Sequence, residues 1–159
     1  MSDELTVPDL EDRERLAAAW SAICQKIDQP LTTFPLRFGP HWDWPRSIFR
    51  SGDGWSVVDV YRGDEQSRRY ITDDETLLYD SAKWMTSAVA GWRRSANMSR
   101  FSKALGRIYH SLDRRFDLRL QLRQQRAIEH RYQRELMARI STAWANRLDH
   151  EFRGDEMQR

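Results

Sequence analysis

Four histidines, one cysteine and a short acidic run are the residues of this 159-residue chain best suited to chemistry, and their spacing argues against most of it. His41, His110, His130 and His150 are scattered, and neither an HExxH pattern nor a cysteine pair supplies metal-ligand spacing. His130 follows Glu129 directly, but adjacent residues on a helix point apart, so the two do not make a base and its orienting acid. There is no glycine-rich phosphate loop and no nucleophile elbow. Asp73, Asp74 and Glu75 carry enough charge for a cation. Thr72-Asp73-Asp74-Glu75 also has capping-box spacing, with acids where a helix dipole favours them, and this is the simpler account. Cys24 falls at helical spacing with Leu16, Trp20, Ile23 and Ile27 and reads as a small core residue. No catalytic residue, metal or cofactor is expected.

Residues suited to binding stand out more. His41-Trp42-Asp43-Trp44-Pro45-Arg46 has the most unusual local composition in the chain. Aromatic and arginine residues dominate interface hot spots, so Trp42, Asp43, Trp44 and Arg46 form one candidate partner surface. An alternative is that the indoles lid the core. A second candidate is the arginine-rich stretch holding Arg107, Arg115, Arg119, Arg123 and Arg126. Residues 1 to 30 carry seven acids and three bases, whereas residues 91 to 150 carry fourteen bases and five acids. That segregation suits an acidic protein, nucleic acid or an anionic membrane, unless it is a solvated helix face with pairs such as Arg131–Glu135.

The elements that must position these residues follow from periodicity. From Trp55 to Tyr61 the side chains alternate, the mark of a strand. Gly63 to Gln66 supplies turn residues and Ser67 to Thr72 runs back as a partner strand. Ser51 to Gly54 turns the chain upstream, letting Ser47 to Arg50 pair on the other side. A first helix starts near Pro8 or Asp9 and ends at Gln29-Pro30. Phe34 to Phe38 is expected as a short edge strand, because Pro35 has no place in a central one. Thr72 opens a second helix through about Ser95, with Leu78, Met85, Val89 and Trp92 inward. Phe101 to Phe116 repeats at helical spacing, and Leu118 to Leu122 is read as helix, with a kink or break near Asp113 to Asp117. Ile128, Tyr132, Leu136, Ile140 and Trp144 continue one stripe to about Phe152, where Gly154 ends it.

The expected fold is α+β: an antiparallel meander of three or four strands packed on an N-terminal helix and two to four C-terminal helices, in a single domain over residues 1–159. With 40% hydrophobic and 31% charged residues and a mean hydropathy of -0.81, the composition is that of a soluble protein. No apolar run approaches the roughly 18 residues of a membrane span. An acidic N-terminus, unlike a signal peptide, and a lone cysteine point to the cytoplasm.

Several segments together resemble the bacterial polymorphic-toxin immunity proteins, most closely the family called immunity protein sixty-three. They are Lys26-Ile27-Asp28-Gln29-Pro30, Phe34-Pro35, Gly54-Trp55, Tyr61-Arg62-Gly63 and Thr72-Asp73-Asp74-Glu75-Thr76-Leu77-Leu78-Tyr79. Arg131-Tyr132-Gln133-Arg134-Glu135-Leu136-Met137 and Ile140-Ser141-Thr142-Ala143-Trp144 complete the set. Thr76 interrupts the family's Glu-Leu-Leu run. The resemblance implies a cytoplasmic antitoxin that binds a cognate toxin or effector and blocks it, with no catalytic residues to carry over. The alternative is a nucleic-acid-binding or regulatory module on the arginine-rich helices, although no recognised nucleic-acid-binding motif is present. A monomer and a homodimer both fit the pattern.

Overall fold

The computed structural model describes residues 5–40, 45–62, 64–97 and 117–157. It is an α+β fold in two compact units, residues 1–82 and 83–159. In the first unit, α1 spans Leu10–Lys26. Asp9 caps it, accepting the Asp12 N–H at 2.8 Å, with Glu11 and Asp12 in the first turn. Its end comes before Pro30. Asp28 takes a left-handed φ of 55°, and the Gln29 N–H bonds back to the Cys24 carbonyl at 3.0 Å.

Strands β1 (Arg46–Ser51), β2 (Gly54–Tyr61) and β3 (Asp64–Ile71) form an antiparallel sheet in chain order. A tight turn with Gly52 at φ 57° joins the first two. Gly54 is required for another reason: a Cβ there would stand 2.5 Å from the Ile71 carbonyl oxygen and 2.6 Å from the Tyr70 hydroxyl. β3 begins at Asp64 where sequence patterning placed a turn. Arg62 is already left-handed at φ 55°, so the chain reverses early and Asp64 and Glu65 pair with Tyr61 and Val60. The register shifts between Asp59 and Val60, leaving Gln66 as the extra residue of a bulge. The strand expected over Phe34 to Phe38 contracts to a single bridge, Phe38 to Ile48, against the outer edge of β1, which Thr6 also bridges at Arg50.

The core of this unit is Leu16 from α1, Ile48, Trp55, Val57 and Ile71 from the sheet, and Leu77. Each fully buried large apolar side chain contributes about 1.5–3 kcal/mol. Trp20 is buried too and donates its indole N–H to the Phe34 carbonyl at 2.7 Å, tying α1 to the irregular segment. Helix α2 covers Asp74–Asn97, and the division between units falls inside it. Its cap is Asp73, not Thr72. The Asp73 carboxylate accepts the Thr76 N–H at 2.8 Å and the Thr76 hydroxyl at 2.9 Å, while Thr72 donates to it. Asp and Thr both cap well, and here the carboxylate, which can accept all three, takes the position.

The second unit contains the rest of α2, then α3 (Asp117–Ile140) and α4 (Thr142–Met157). The single stripe expected to run to Phe152 is broken at Ser141, whose hydroxyl accepts the Trp144 N–H at 3.4 Å and starts a new helix. Leu136, Met137, Ile140, Ala145 and Leu148 are buried, whereas Ile128 is exposed. Gly154 lies within α4 and does not end it. Leu118 to Leu122 is helical as expected. Trp92, expected inside, is 56% exposed. The helix expected over 101–116 lies outside the described residues.

Candidate functional site

The most connected polar group in the first unit sits where the sheet meets the start of α2. Arg46 donates from Nε to Asp59 at 2.8 Å and from its terminal nitrogen to Asp80 at 3.0 Å. Arg69 completes the ring, reaching Asp80 at 2.5 Å and Asp59 at 3.4 Å, and the Ser67 hydroxyl donates to Asp59 at 3.0 Å. Two cations and two anions thus neutralise one another across three strands and a helix. Burial alone would lower the Arg69 pKa, and the adjoining Asp80 and Asp59 carboxylates reverse that. Arg46, anticipated as a partner anchor, keeps only 11% of its side chain exposed and is committed to this ring.

The acidic run is equally committed. Asp73 caps α2, and its hydrogen bonds from Thr76 hold the carboxyl below the usual aspartate range. Asp74 accepts the Trp55 indole N–H at 2.9 Å and pairs with Arg15. Arg50 lies 4.6 Å from the centre of the Trp55 ring and 3.6 Å from Asp12. Among the described residues no group of three or more histidine, cysteine or acidic side chains is placed to hold a metal ion. Cys24 is buried, and burial raises its thiol pKa.

In the second unit His130 meets a carboxylate, but not Glu129. Its Nε2 lies 2.9 Å from Asp149, and Arg134 donates to the other Asp149 oxygen at 2.6 Å. The imidazole stacks on Phe152 at 3.9 Å between ring centres. This contact is made between α3 and α4, nineteen positions apart, which no local spacing in the sequence exposes. Burial opposes ionisation of Asp149, yet the bonds from Arg134 and His130 outweigh it and hold the carboxyl below its ordinary value. Glu129 instead pairs with Arg94 at 2.9 Å, and Glu151 binds Lys83 at 2.6 Å and Arg147 at 3.2 Å.

Of the arginine-rich candidates, Arg126 is exposed on α3, and Arg119 and Arg123 lie on the same helix. Arg107 and Arg115, like Trp42, Asp43 and Trp44, lie outside the described residues. The structure adds Arg131 and Arg139, both exposed. Arg126, Arg131 and Arg139 have no carboxylate within ion-pair distance among the described residues, and the Arg131–Glu135 pair is not formed. Arg93 and Arg131 instead lie 5.6 Å and 5.9 Å from the Tyr132 ring centre. Sequence reasoning placed Arg131 in a pair with Glu135 and did not single out Arg139, because it followed the density of arginines and not which of them bind a carboxylate in the fold.

One recess of about 110 Å3 opens on the sheet, walled by Leu5, Phe49, Val58 and Val60 with Glu65 and Arg68 alongside. It is smaller than an ordinary small-molecule pocket. Among the described residues no helix is long and apolar enough to cross a membrane. Compared with family models, with curated proteins and with solved structures, the chain matches none.

Proposed function

We propose that this chain is a non-enzymatic immunity protein that binds a cognate bacterial toxin or effector in the cytoplasm and neutralises it by blocking its active site or surface. The observation that carries this reading is where the charge goes. The acids and the histidine that invite chemistry are engaged in a cap, an indole bond and a helix-to-helix pair, while Arg126, Arg131 and Arg139 are exposed with no carboxylate within ion-pair distance among the described residues. Such arginines suit steering and bidentate contact with an acidic protein surface. The segments that resemble immunity protein sixty-three point to the same class.

The test is co-production with each candidate toxin domain found encoded in a gene neighbouring this one. The expected result is restored growth and a complex that survives gel filtration. Unrelieved toxicity, with no complex, overturns the proposal. Binding to random-sequence DNA that weakens steeply with salt would favour the nucleic-acid alternative, because counterion release dominates such binding.

A further inference from the structure

β3 is the edge of its sheet, and no strand among the described residues pairs with its outer side. Every residue from Asp64 to Tyr70 is exposed, while β2 beside it is buried on both faces. Unpaired edges are templates for another strand, so what the edge displays decides which strand fits.

The display is ordered. Glu65 and Arg68 share one face of the sheet, because both line the recess with Val58 and Val60. Arg69 lies on the opposite face, where it reaches Asp59 and Asp80. Asp64 pairs with Tyr61, two positions beyond Asp59 on β2, and so shares the face of Arg69. The bulge at Gln66 makes this possible: in a regular strand, Glu65 and Arg68 would point to opposite faces. Read outward from the bulge, the faces are therefore symmetric and the charges opposite: Glu65 then Asp64 one way, Arg68 then Arg69 the other.

We propose that β3 pairs antiparallel with β3 of a second copy of this chain, about a two-fold axis through the bulge, to make a continuous six-stranded sheet. A two-fold perpendicular to the sheet keeps each residue on its own face and reverses strand direction. Glu65 and Arg68, which bind each other within the chain at 2.7 Å and 3.1 Å, then each also face the opposite charge of the second copy on one face, and Asp64 faces its Arg69, which keeps its own Asp59 and Asp80, on the other. Each pair occurs twice. Asp64, with no ion-pair partner among the described residues, gains one. Opposite charges directly across a ladder stabilise it and like charges destabilise it, so the edge favours itself over a strand of uniform charge.

Sedimentation equilibrium of the full chain at low salt tests this. The expected result is a concentration-dependent dimer. E65R and R68E, each introduced alone at a side chain more than a third exposed, keep the fold by circular dichroism and weaken dimerisation about tenfold or more. An equimolar mixture of the two variants restores the dimer, because unlike charges again face each other. A wild-type chain monomeric throughout, variants that dimerise like wild type, or a mixture that stays monomeric each overturn the proposal.

Discussion

Arg46 and Asp80 are 34 positions apart in the chain and 3.0 Å apart in the structure, joining the first strand to the second helix. The same guanidinium binds Asp59, so removing it leaves two carboxylates to share Arg69. Arg46→Ala is expected to lower unfolding free energy by about 2–3 kcal/mol, less than a fully buried pair because Asp59 is partly hydrated. Arg46→Lys recovers only part, since one ammonium lacks the planar fork that spans both acids. Urea denaturation measures both.

Gly54→Ala is expected to cost about 2 kcal/mol or more, because the new methyl meets the backbone carbonyl of Ile71. Adding Tyr70→Ala relieves the contact with the phenol but not with the carbonyl. The double variant therefore stays destabilised in the same measurement.

Asp73→Ala is expected to lower the melting temperature by a few degrees, and Thr72→Ala by clearly less, because the carboxylate and not the hydroxyl receives the α2 backbone N–H. Equal losses would show that the capping box begins one residue earlier.

These capping and pairing details mark the limit of what the sequence discloses. The stripe of Leu16, Trp20 and Ile23 was legible because helical periodicity reports burial, and the strand over Trp55 to Val60 was legible from its pattern and residue types although both of its faces are buried. Thr72 against Asp73 was not, since both are good caps and only geometry chooses. Trp92 follows the inward stripe of α2 yet is exposed, because a stripe records hydrophobicity and not what lies opposite it. The break at Ser141 left no glycine or proline signal. The candidate site was legible as a bias toward arginine. Which arginines are free depended on contacts such as Arg134–Asp149 and Arg94–Glu129, made between helices.

Asp149 gives a pH signature. Its carboxyl is held below the ordinary value of 3.8 by Arg134 and His130, so its contribution to stability is present above that value. The contribution is lost as pH falls through the lower folded value. Asp149→Asn is expected to lower the melting temperature near neutrality and to flatten its decline between about pH 5 and pH 2. Parallel melting curves for variant and wild type would refute this.

If the α3 arginines meet the partner, reversing Arg126, Arg131 and Arg139 to glutamate together should slow association with the toxic domain about tenfold or more and flatten its salt dependence. Dissociation should change less. Stopped-flow or surface-based kinetics on the folded variant separates the two rates, and an unchanged on-rate moves the interface elsewhere.

Cys24, the one thiol of the chain, can serve as an internal clock. It is 1% exposed in α1, with its thiol pKa raised by burial, so disulfide reagents in solution reach it only when that helix opens. The labelling rate at increasing reagent concentration therefore reports first the equilibrium for opening and then the opening rate itself. For the same reason, a cysteine introduced at any exposed position can carry a probe without competition from the native one.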